Sequence, residues 1–196
     1  LFYVLMRLLY PLKGNIFIQG KNYDDLAEKS IREHFAVAFQ EHHIFNLSIR
    51  DNFKMLYENI TDEEIYKSLE NVYLLDFVKQ VGLNYIVGND GNKLSGGQKH
   101  RLQLAICLAK QKDIILLDEP TAGLDIKTTN NICSQLMEKY QKQTMIVTSH
   151  DISLLRFFDD IIICGEEKII EQGNIKKLLL REDSYLNKLI RYKNFI

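Results

Sequence analysis

Two adjacent carboxylates, Asp118 and Glu119, follow directly on the aliphatic run Ile114 to Leu117, and Pro120 comes next. Neighbouring side chains on a strand point in different directions, so such a pair suits two roles, one carboxylate holding Mg²⁺ and the other orienting an attacking water. Upstream, Ser95-Gly96-Gly97-Gln98 opens a stretch with apolar positions at Leu102, Ala105, Ile106 and Ala109. A serine N-cap followed by two glycines presents backbone N–H groups at the positive end of a helix with no side chain blocking approach, which is a cradle for phosphate. Ser149-His150-Asp151 follows a second aliphatic run, Thr144 to Thr148, so His150 can donate a hydrogen bond to a phosphate oxygen. Gln40 ends the run Phe35 to Phe39, where its amide oxygen can serve Mg²⁺ or water. Taken singly, each has an ordinary structural explanation: a Ser-capped helix, a turn after a buried strand, a histidine in a surface loop.

Such residues act together only if a scaffold gathers them. Short continuous aliphatic runs read as strands buried on both faces, which belong to a parallel α/β sheet, and the C-terminal ends of such strands line a ligand crevice. Between the last two runs, Ile132, Leu136 and Tyr140 mark an amphipathic helix. Thr61 with Glu64 forms a capping-box signature ahead of Ile65, Leu69, Val72 and Tyr73 at helical spacing, and Gly82 suits a helix stop. Residues 46–110 therefore read as a helical subdomain inserted into an α/β core formed by 1–45 and 111–196. Leu1 to Tyr10 reads as a buried helix ended by Pro11, Asn15 to Gln19 as a short strand, and Ile161 to Cys164 with Lys168 to Gln172 as a hairpin through Gly165.

Composition fits this reading. The 196 residues are 46% hydrophobic and 26% charged with two prolines, which excludes disordered and collagen-like chains. A net charge of −1 removes the usual motive for a basic nucleic-acid-binding surface, so any anion site is built locally. Cys107, Cys133 and Cys164 are too far apart in sequence for a metal or redox pair, and each reads as a small core hydrophobe. The apolar stretch Leu1 to Leu12 is shorter than the roughly 20 residues of a membrane span. His42 and His43 lack companion metal ligands at suitable spacing.

Together the motifs resemble one family. Leu94 to Gln98 resembles the signature motif of ABC ATPases, Ile114 to Glu119 their Walker B strand with its glutamate, and Ala122-Gly123-Leu124-Asp125 their D-loop, while Gln40 and His150 stand where the Q-loop glutamine and switch histidine are expected. Val87-Gly88-Asn89-Asp90-Gly91 resembles the X-loop of exporters, with Asn89 in place of the usual glutamate, whereas Thr121-Ala122-Gly123 is closer to importer wording. The resemblance implies a P-loop NTPase (RecA-like) fold and an ATP- and Mg²⁺-dependent ATPase of an ABC transporter, most readily an exporter. It implies head-to-tail pairing with a second ATPase domain. Ser95, Gly96, Gly97 and Gln98 would then meet the γ-phosphate of the partner's ATP, Asp118 and Gln40 would serve Mg²⁺, and Glu119 would polarise water. His150 would support the γ-phosphate and Asp125 would couple the two sites. The segment Gln40 to Asn52 would face a transmembrane domain at the cytoplasmic side of a membrane. A soluble ABC ATPase acting on ribosomes or DNA is the alternative. No G-x-x-x-x-G-K-[ST] P-loop is present, and Gly14 to Lys21, with a strand-like interior, does not supply one. The expectation is a chain that begins just after the P-loop, without its first strands, and that by itself binds ATP weakly and does not hydrolyse it.

Overall fold

Aliphatic runs build a parallel sheet in the first of two compact units, Leu1–Thr148, the second being Ser149–Ile196. The computed structural model of the protein describes residues 1–41, 43–165 and 168–193.

The first unit opens with α1 (Phe2–Leu5), the hairpin strands β1 (Phe17–Ile18) and β2 (Lys21–Asn22), α2 (Glu28–Glu33) and β3 (Phe35–Ala38). Helices α3 (Ile49–Lys54), α4 (Asp62–Asn71), α5 (Leu75–Val81) and α6 (Gly96–Leu108) follow, then β4 (Ile114–Asp118), α7 (Ile126–Lys139) and β5 (Thr144–Thr148). The sheet order is β3-β4-β5, all parallel, with Phe35 opposite Ile114 and Asp118 opposite Thr148. Central β4 is covered on both faces, which is why Ile115, Leu116 and Leu117 are all buried and show no alternation. One apolar cluster runs from β3 and β4 (Ala38, Ile115, Leu117) through α7 (Ile132, Leu136) into the helices (Phe53, Ile65, Leu69, Leu102).

Buried and half-buried side chains also close the C-terminal end of α6, where carbonyls lack intrahelical partners. Ser68 donates to the Ala105 carbonyl, Tyr57 to that of Cys107 at 3.4 Å and Tyr140 to that of Leu108 at 3.2 Å. Burial pushes the Cys107 thiol up to about 12, so it stays protonated and inert.

The capping box at α4 is present, Thr61 accepting from the Glu64 N–H at 3.2 Å and Glu64 accepting from the Thr61 N–H at 2.9 Å. Lys110 also bonds Glu64, and this contact, followed by the Thr61 N–H, holds the carboxyl down at about 2. A depressed folded-state value stabilises the fold above the ordinary value of 4.5, and that contribution is lost as pH falls towards about 2. Glu64→Gln is therefore expected to flatten the pH dependence of the unfolding midpoint across that window, while Thr61→Ala costs about 1 kcal/mol at neutral pH. An unchanged pH profile in Glu64→Gln would contradict the assignment.

Four expectations need correction. The N-terminal helix is one turn, not ten residues: it caps at Met6, and Arg7 turns to φ 55, where it pairs with Asp24 and lies 4.3 Å over the Tyr10 ring. With one turn, only Phe2 of this segment is buried, and Leu8, Leu9 and Tyr10 are exposed. The strand expected over Asn15 to Gln19 is confined to Phe17–Ile18, because Gln19 (φ 50) and Gly20 (φ 77) make the tight turn of the β1–β2 hairpin. Tyr73 leaves the face of α4, since its φ of 56 reverses the chain after the helix and turns the ring outward. Cys164 is exposed, unlike Cys107 and Cys133, because it lies on an outward position of a hairpin strand.

The second unit pairs β6 (Asp160–Gly165) antiparallel with β7 (Lys168–Asn174) and adds α8 (Ile175–Leu179) and α9 (Tyr185–Lys193) around Ile163, Ile175, Leu178 and Leu186. Among the described residues no helix is long and apolar enough to cross a membrane.

Candidate functional site

The N-terminus of α6 is a built feature. Ser95 Oγ accepts from the Gln98 N–H at 3.3 Å and Gln98 Oε1 accepts from the Ser95 N–H at 2.9 Å, a complete capping box. It leaves the N–H groups of Gly96 and Gly97 as the first-turn donors outside the box, at the positive end of a 13-residue helix. A Cβ at Gly96 would meet nothing within 4 Å, so the approach is open, whereas one at Gly97 would lie 3.4 Å from Leu124 Cδ2. Gly97 is thus the contact that brings the Leu124-Asp125 turn against the signature helix. Asp125 in turn caps α7, accepting from the Thr128 N–H at 2.9 Å and its hydroxyl at 2.6 Å, and these bonds lower its carboxyl below the ordinary carboxylate range. Arg101 bonds the carbonyls of Gly97 (3.1 Å) and Tyr73 (2.6 Å), fixing the start of α6 to the turn after α4.

The strand ends form the second group. Asp118 closes β4 and accepts a hydrogen bond from the Thr148 hydroxyl at the end of β5. Glu119 follows at φ 49, its N–H donating to the Thr148 carbonyl at 3.0 Å. This left-handed residue turns the chain sharply off the strand, so the two carboxylates leave in different directions. His100 on α6 links the two groups: a carbonyl only accepts, so its Nε2 donates to Pro120 O, at 2.6 Å. Gln40 is exposed just past β3, whose pairing sets Ala38 against Leu117, one residue short of Asp118. The backbone on both sides of Gln40 is held by Gln103 of α6, and the Phe39 ring stacks on Tyr3 at 5.1 Å. His150 belongs to the second unit, two positions past β5 in sequence.

The segment Gln40 to Asn52 has an organised interior. Asn52, buried, accepts from the Phe45 N–H at 2.9 Å and donates to the carbonyls of Phe45 and Ser48. Ile44 and Ile49 are buried, Glu41, His43, Phe45 and Asn46 are exposed, and Arg50 forms a two-pronged pair with Asp62 at 2.8 and 2.9 Å. Residues 87–91 lie beside it: Val87 N–H donates to Leu47 O at 3.1 Å, and Asp90 pairs with Lys99 of α6 at 2.7 Å. His42 lies outside the described residues.

The donor chemistry fits Mg²⁺ and a triphosphate. Asp118 and the Gln40 amide supply hard oxygens, and Mg²⁺ takes one or two such protein ligands, completing its shell with water and phosphate. Among the described residues there is no group of three or more His, Cys, Asp or Glu that could hold a metal ion.

Sequence reading missed Thr148, His100, Arg101 and Gln103. Only a hint was there for the last: Gln103 interrupts the apolar stretch from Leu102 to Leu108.

A family model described as ABC transporter matches residues 1–122. The chain is 33% identical over 177 residues to the Beta-(1-->2)glucan export ATP-binding/permease protein NdvA of Agrobacterium vitis, covering 89% of this chain and 30% of that protein. It is 34% identical over 181 residues to the Glutathione/L-cysteine transport system ATP-binding/permease protein CydC of Escherichia coli (strain K12), covering 92% and 32%. A solved bacterial Atm1-family ABC exporter with ATP bound is similar at a TM-score of 0.91 and 28% identity, over 97% of this chain and 34% of that one. The chain spans about a third of the length of these relatives.

Proposed function

The chain belongs to the ABC transporter family, and from that membership we propose that it is the ATP-binding and hydrolysing part of an exporter, working as one of two head-to-tail ATPase domains. The observation that carries the reading is the capped, glycine-opened start of α6 tied through His100 to the carboxylate turn at Glu119. In this reading Gly96 and Gly97 offer N–H groups, and Ser95 its hydroxyl, to the γ-phosphate of ATP held by the partner domain. Gln98 locks that turn. Asp118 and Gln40 hold Mg²⁺, which when bound neutralises phosphate charge, and Glu119 polarises the attacking water. His150 donates to the γ-phosphate, and Asp125, packed beside Gly97 through Leu124, couples the two sites. Residues 46–110 form the helical part that carries the signature. The segment Gln40 to Asn52, with Phe45 exposed, faces a membrane-spanning part at the cytoplasmic side. The relatives, named as export and transport proteins with permease parts, give the soluble ribosome- or DNA-directed alternative no support.

Ser95→Arg tests this directly. In the full-length protein it is expected to leave nucleotide binding by the same domain intact but to block ATP-dependent closure of the two domains, read by energy transfer between labelled protomers. Closure at the wild-type ATP concentration would overturn the head-to-tail reading.

A further inference from the structure

Gln103, itself half-buried, stands one turn and more beyond the signature on α6, between the buried Leu102 and Leu104. A polar side chain at such a position costs free energy unless it is bonded. Its Nε2 carries two N–H donors, and they go to two carbonyls, Phe39 O and Glu41 O, each at 3.1 Å. These carbonyls flank Gln40. The helix that supplies Gln103 is itself fixed, by Arg101 at its start and by Ser68 and Tyr140 at its end.

We infer that Gln103 is a positioning residue, which sets the backbone of the Gln40 loop from the signature helix and so fixes where Gln40 presents its amide. The inference deepens the proposed function and rests on its reading of Gln40 as a Mg²⁺ ligand. Since α6 also begins with the glycines that face phosphate, one rigid helix carries both the phosphate donors and the clamp on the Mg²⁺ side. A movement of α6 is transmitted to Gln40 through two hydrogen bonds.

The test uses the full-length protein with Gln103→Met, which keeps the shape and removes the donors, and Gln103→Lys, whose ammonium can donate to both carbonyls. Without nucleotide, backbone amides of the 40–46 segment should exchange about tenfold faster in Gln103→Met and at the wild-type rate in Gln103→Lys. The Mg²⁺ concentration needed for half-maximal ATP binding should rise several-fold in Gln103→Met, as in Gln40→Ala, with no further rise in the double variant. Unchanged exchange in Gln103→Met overturns the inference, and so does equal acceleration in Gln103→Met and Gln103→Lys, which would mark general loosening of the helix. If Gln40→Ala leaves the Mg²⁺ requirement unmoved, the reading of Gln40 falls and this inference with it. If Gln40→Ala raises the requirement while Gln103→Met does not, the inference alone falls.

Discussion

Glu119→Gln in the full-length protein is expected to keep ATP binding and to slow hydrolysis by a factor of about 10² to 10⁴, the usual cost of removing a general base. On the transition-state scale that is roughly 3 to 5 kcal/mol. The substitution is close to isosteric, and the backbone around it is held independently of the side chain: the residue's own N–H bonds Thr148 O and the next carbonyl is gripped by His100. The left-handed φ of 49 is also one that glutamine meets no worse than glutamate. What changes is the capacity to draw a proton from water. Steady-state phosphate release measured beside nucleotide binding separates the two effects, and hydrolysis at the wild-type rate would remove Glu119 from the mechanism.

Phe53→Ala is expected to cost about 3 to 5 kcal/mol of stability, the range for truncating a fully buried phenylalanine. Phe53 is wholly enclosed, and its cluster joins the helices to β3 and β4. Against a typical total of about 5 to 15 kcal/mol, that loss is a large fraction. Phe53 also follows Asn52, whose three bonds shape the turn at Phe45 to Ser48, so the cavity opens under the surface assigned to the membrane partner. The midpoint of urea unfolding gives the number, and Phe53→Leu should recover most of it. A loss below about 1 kcal/mol for the alanine variant would show that the site collapses around the gap.

Local signals were legible where chemistry and periodicity agree within a few residues. The capping box at Thr61, the serine N-cap at Ser95 and the strands ending at Asp118 and Thr148 appear as expected, because each depends on its own sequence neighbours. Leu1 to Tyr10 misled because leucines and tyrosines give it apolar character all round, while its backbone turns at Arg7, which takes a left-handed φ of 55 and pairs with Asp24. Tyr73 and Cys164 misled for a related reason: one backbone reversal, or one outward strand position, exposes a side chain whose type favours burial. Gln103, His100 and Thr148 act through partners 64, 20 and 30 positions away, a separation that no local pattern encodes. The site is therefore readable in its motif residues and silent in the residues that hold them.

The parallel pairing of β3 with β4 has a consequence during synthesis. The partners at their entry, His34 and Asp113, are 79 positions apart, with all the helices from α3 to α6 between them. At about 5 to 20 residues per second, the apolar run from Phe35 leaves the ribosome roughly 4 to 16 seconds before β4 exists to cover it. For that interval Phe35-Ala36-Val37-Ala38-Phe39 is an unpaired, uncharged strand. The nascent chain thus carries an association-prone segment ahead of the strand that covers it, and a chaperone that holds this stretch until β4 emerges would protect it.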